Sequence, residues 1–178
     1  MEGEMGYLLP EHSSALRYGS LLAEQVLSRS LGWHAGDLYD VTTVSEIDSS
    51  ARPANRFAQL LRVEVALPHM PHHYRVCLLD DEILSFLEEH LDIDLVSLIT
   101  FIMTHELLHV HRFSTGKADF FGDPVSEEVV VDALTRVILA KYPVIGLKRV
   151  LSLLDRLKAA PLYNGHIMNE PRCVDAYL

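Results

Sequence analysis

Residues 95–113 read LVSLITFIMTHELLHVHRF, and the rest of the chain is best read outward from them. An apolar run over residues 95–103 leads without a Gly or Pro into Thr104-His105-Glu106-Leu107-Leu108-His109. Asp92 or Asp94 stands ahead of it as a candidate N-cap, so the spacing predicts a helix to about Phe113. The apolar run is bounded by Asp94 and His105 and is too short to cross a bilayer. Downstream, residues 113–122 hold Gly116 and Gly122 and read as a loop. Asp123-Pro124 is a strong helix start, with Asp as cap and Pro at the first helical position. That helix is predicted to reach about Lys141 and to stop before Pro143. A last helix is predicted over 144–157, followed by an irregular tail after Pro161.

Upstream, residues 81–90 suit a short helix. Residues 60–67 alternate around Arg62 and Glu64 as a half-exposed strand does, and 72–79 read as a second strand. Pro68-His69-Met70-Pro71 lies between them as a turn, so the pair is expected to form a hairpin. Residues 37–47 suit a further strand, followed by a loop over 48–55. Residues 14–31 suit a first helix stopped by Gly32. Strands ahead of a helical half give an α+β class: one domain over residues 1–178, with a small antiparallel or mixed sheet.

The 178 residues are 49% hydrophobic and 22% charged, enough apolar material for a real core and unlike a disordered chain. A net charge of -10 argues against nucleic-acid binding, which needs clustered Lys and Arg, and against anionic membranes. Residues 1–5 carry acid where a secretory leader carries base, so a cytoplasmic location is expected. Cys77 and Cys173 have no metal-pair spacing and are expected to be free thiols.

His105 and His109 stand at i and i+4, one face of a helix, differing by roughly 40° in direction. Two imidazoles so placed can share one Zn²⁺, with Glu106 beside them to take a proton from an activated water. His111 points elsewhere. A catalytic zinc site needs a third protein ligand, and the loop over 113–122 lets the next helix return antiparallel with its first turns beside the histidines. Glu128 is the chosen ligand. Asp132, one turn on, is placed to accept an N–H from one of the imidazoles. Asp119 or Asp123 is the alternative carboxylate, and His166 the alternative imidazole. Glu127 is either a contact behind the ligands or a surface residue. His69, His72 and His73 cluster at the Pro turn, where a solvated loop is the simpler reading than a second metal site.

His105-Glu106-x-x-His109 followed by Glu128-x-x-x-Asp132 resembles the gluzincin group of zinc metallopeptidases, which includes thermolysin-like enzymes and the short one-domain minigluzincins. The resemblance spans roughly residues 95–141. It implies a zincin-like domain with all three zinc ligands on two helices, behind a small sheet whose edge strand binds substrate backbone. The hairpin over 60–79 is the candidate for that edge. The longer metzincin pattern fails, because Arg112 and Thr115 occupy the positions of its Gly and third His. A di-iron site fails for want of a second Glu-x-x-His segment.

The expected activity is peptide-bond hydrolysis on a peptide or protein substrate. His105, His109 and Glu128 hold Zn²⁺, and Glu106 is general base and then proton donor to the leaving amine. Tyr142, Tyr163 or His166 is expected to stabilise the oxyanion, with no choice among them. The rival is a latent or non-catalytic zincin-like protein that holds a metal and a peptide partner. The residues give no oligomeric state.

Overall fold

The computed structural model describes residues 12–43, 57–67, 70–142 and 145–159. Its elements are α1 (Ser13–Leu31), a 3-10 turn (Gly36–Leu38), β1 (Tyr39–Thr43), β2 (Ala58–Leu67), β3 (Met70–Leu78), α2 (Asp80–Glu89), α3 (Leu95–Ser114), α4 (Pro124–Leu139) and α5 (Ile145–Ala159). The class is α+β, five helices beside one small sheet. Among the described residues no helix is long and apolar enough to cross a membrane.

The sheet is mixed, in the order β1-β3-β2. β2 and β3 form the expected antiparallel hairpin, pairing Ala58 with Leu78 and Leu61 with Arg75, with a register shift between Glu64 and Leu67. β1 runs parallel to β3, in register from Tyr39↔Tyr74 to Thr43↔Leu78. The first strand is shorter than the 37–47 expectation at its start, where Gly36–Leu38 turn instead. Its predicted end and the loop over 48–55 fall largely outside the described residues, as does the tail after Pro161.

α3 is the axis of the core. Leu98, Ile99, Met103, Leu107, Leu108 and Val110 are all fully buried, a helix apolar nearly all round that other elements must cover. α1 covers one side, at a close approach through Gly19. A Cβ there would stand 2.7 Å from Ile99 Cγ2. α4 and α5 cover others, burying Val131 and Leu139 of α4 and Leu147 and Val150 of α5. β3 adds Tyr74, Val76 and Leu78.

Local chemistry sets the ends of the two helices that matter most. Asp94, not Asp92, caps α3: its carboxylate accepts from Ser97 N at 2.8 Å and from Ser97 Oγ at 2.7 Å. At the other end Gly116 takes φ 69°, a left-handed turn glycine adopts without strain, and Lys117 N donates to Arg112 O at 2.8 Å. The chain can then reverse. Asp123 caps α4 by accepting from Val125 N at 3.1 Å and Ser126 N at 3.3 Å, with Pro124 behind it as expected.

Candidate metal centre

α3 presents His105 and His109 one turn apart, and the first turns of α4 bring Glu128 across to them. Nε2 of His105 lies 3.3 Å from Nε2 of His109. Glu128 Oε2 lies 3.1 Å from His105 Nε2, and Glu128 Oε1 lies 3.2 Å from His109 Nε2. Ligand atoms of these three residues all fall within 4.8 Å of one another, and no other such group occurs among the described residues. Zinc bonds of about 2.0–2.1 Å in a tetrahedron require donor atoms roughly 3.3–3.4 Å apart, which the two imidazole nitrogens match at 3.3 Å, while each nitrogen meets a different oxygen of Glu128. The donor set, two imidazoles and a carboxylate, suits the same ion.

The site is anchored on one side and open on the other. The His109 side chain is 3% exposed, whereas His105 is 17% and Glu128 28% exposed. Phe113 stacks on the His109 ring with centroids 5.8 Å apart, and Phe101 lies 6.5 Å from the His105 ring. These contacts fix the rings from behind while leaving the triangle accessible. Glu106 follows His105 on α3 and is partly buried. Its charge raises the pKa of both His109 and the buried thiol of Cys77 on β3.

Electrostatics follow from this packing. Burial alone would lower the His109 pKa. The facing carboxylates of Glu127 and Glu128 and the charge of Glu106 outweigh it and raise the pKa to about 9. Burial pushes Glu128 up, but hydrogen bonds from His105 and His109 hold its carboxyl far below the usual range. Burial likewise opposes ionisation of Glu127, whereas His109 and Arg112 bring it down to about 2. A carboxylate that stays ionised at any working pH is always available as a ligand.

Behind His109 stands Glu127. Its Oε1 lies 3.4 Å from His109 Nδ1, within ion-pair range but outside good hydrogen-bond geometry. Arg112 grips the same carboxylate through both oxygens, Nε donating to Oε1 at 2.8 Å and Nη2 to Oε2 at 3.0 Å. The sequence left Glu127 open between this position and the surface. It is 7% exposed, so it is not a surface residue. Arg112 was not anticipated at all. Its only signal is a position three residues past His109, on a helix turn that α4 must face.

Asp132, expected to orient an imidazole, accepts from Arg136 Nε at 3.2 Å. Tyr142 is engaged by α1: its hydroxyl donates to Val26 O at 3.2 Å and meets Ser30 Oγ at 3.2 Å. Tyr163 and His166 lie outside the described residues. The alternative carboxylates have local duties, Asp119 accepting from Phe121 N at 3.0 Å and Asp123 capping α4. His111 faces away from the triangle, buried against Trp33 with ring centroids 5.0 Å apart. Burial, then the charges of Lys117 and Arg112, lower its pKa. His73 is not part of a solvated loop but lies on β3, where Nε2 stands 3.2 Å from Asp40. The side chains of His69 and His72 lie outside the described residues.

Compared with models of protein families, with curated proteins and with solved structures, the chain finds no match in any of the three.

Proposed function

We propose that this protein is a zinc-dependent metallopeptidase of gluzincin-like design, with a peptide or protein as substrate. The observation that carries the reading is the convergence of His105 Nε2, His109 Nε2 and the Glu128 carboxylate, the two nitrogens 3.3 Å apart and each 3.1–3.2 Å from one of the carboxylate oxygens. His105, His109 and Glu128 would hold the ion. When bound, Zn²⁺ supplies Lewis acidity that activates water and polarises a carbonyl.

The chain's own residues then do the proton work. Glu106, adjacent to a ligand on α3, accepts the proton lost by the attacking water. The same carboxyl returns that proton to the amine nitrogen as the C–N bond breaks, so one residue serves both halves of the reaction. Phe113 stacks on the His109 ring, and Phe101 lies beside that of His105. β2, the strand at one edge of the sheet, offers backbone hydrogen-bonding groups to an extended substrate segment.

The test pairs metal analysis with peptide hydrolysis, using Glu106→Gln as control. Wild type is expected to bind about one zinc per chain and to cleave. Glu106→Gln is expected to keep the zinc and lose cleavage by about 10²-fold or more. Zinc in both proteins with no cleavage by either points to the rival, a metal-holding protein that binds a peptide without hydrolysing it. No zinc in either ends both readings.

A further inference from the structure

We infer that Glu127, clamped by Arg112, is the positioning residue that sets the tautomer and direction of the His109 ring, so that Nε2 rather than Nδ1 faces the ligand triangle. The inference rests on the metal-site reading and specifies how one ligand of that site is held. It begins with a buried imidazole nitrogen. His109 Nδ1 is sealed from solvent and has no hydrogen bond of good geometry among the described residues. A polar group so buried is costly unless a partner closes on it. The Glu127 carboxylate faces it at 3.4 Å, a few tenths of an ångström beyond hydrogen-bond length.

Arg112 decides what that carboxylate can do. Its planar fork occupies both oxygens at 2.8 and 3.0 Å, so the Glu127 side chain cannot rotate away or swing toward the triangle. Arg112 comes from the last turn of α3 and Glu127 from the first turn of α4. The ion pair therefore also fixes how the two ligand-bearing helices meet. Consecutive glutamates divide the labour: Glu128 faces Nε2 of His109 and Glu127 faces Nδ1. A carboxylate on the far nitrogen raises the basicity of the ligating one and holds the ring's orientation, effects that typically alter metal affinity by about 10–100-fold. Lys in place of Arg112 keeps the charge but loses the fork.

The experiment measures zinc affinity by chelator competition for the full chain, wild type beside Glu127→Ala, Glu127→Gln and Arg112→Lys. It also records long-range ¹⁵N–¹H spectra of wild type, free and zinc-loaded. Glu127→Ala is expected to weaken zinc binding by about 10–100-fold. Glu127→Gln, which keeps an acceptor oxygen, recovers part of that loss, and Arg112→Lys falls between wild type and Glu127→Ala. In zinc-loaded wild type His109 is expected to carry its proton on Nδ1. The spectrum needs no variant, so a Glu127 substitution that fails to fold leaves the inference exposed to refutation. Zinc-loaded wild type with the proton on His109 Nε2 overturns it, as do folded variants of unchanged affinity. Wild type that binds no zinc overturns the metal-site reading itself, and this inference with it.

Discussion

Glu127 and Glu128 are neighbours in sequence yet meet opposite nitrogens of one imidazole, which shows how much of the site is settled residue by residue. The i, i+4 spacing of His105 and His109 was readable because a helix has one period. The convergence of Glu128 followed from a capped helix starting after a glycine-bearing loop. That α4 presents Glu127 to an imidazole depends on how two helices cross, and no local pattern encodes that. Glu128→Ala removes one corner of the triangle. Zinc affinity measured by competition should fall at least as far as for Glu127→Ala, about 100-fold or more. Cys77 gives an independent check on the packing beside Glu106. It is 2% exposed, and burial pushes its thiol up to about 12. Iodoacetamide at neutral pH should leave the Cys77 peptide unmodified in the folded protein and alkylate it after denaturation, as read by mass spectrometry.

Among the elements, helices whose caps are written in the sequence were found nearly to the residue. Asp94 and Asp123 each accept the backbone N–H bonds that their side chains predict. The hairpin of β2 and β3 was also local enough to read. The parallel pairing of β1 with β3 was not, because its partners lie some 35 positions apart and share no turn. That pairing sets Asp40 opposite Arg75, which donates through Nε at 2.7 Å and Nη2 at 2.8 Å. These bonds hold the Asp40 carboxyl below its ordinary value despite partial burial, with His73 assisting. A depressed folded-state pKa gives stability that is present above about pH 4 and lost as pH falls through the folded value. Urea melts of Asp40→Asn should lie below wild type at pH 7, and the gap should close as pH falls through the folded-state value of Asp40. The side chains are 40% and 44% exposed, so the gap at pH 7 should stay within about 1 kcal/mol and shrink in salt. Gly146 tests a tighter junction. A Cβ there would stand 2.9 Å from Ser97 Cβ and crowd the Asp94 cap of α3. Gly146→Ala should cost about 1–3 kcal/mol in denaturant melts.

At the scale of the whole molecule, the sheet, the buried α3 and the helices around it serve one arrangement. Two helix segments meet at fixed angle and register, and a small sheet stands at their side. Composition and capping gave the class, α+β in a single small fold, but not the detail that α1 closes against α3 through Gly19, since a glycine inside a helix reads only as a weak position. A ligand that binds only the folded chain stabilises all of it, by about 2.7 kcal/mol at a hundredfold excess over Kd. Zinc should therefore raise the thermal midpoint of wild type and of Glu106→Gln alike, and a chelator should reverse the rise. The sharpest trial is an anomalous difference map, collected above and below the zinc edge, from crystals grown with zinc. A single strong peak within bonding reach of His105 Nε2, His109 Nε2 and the Glu128 carboxylate is the expected result. A zinc-loaded crystal whose peaks all lie elsewhere, with the triangle closed on itself by hydrogen bonds, would contradict it.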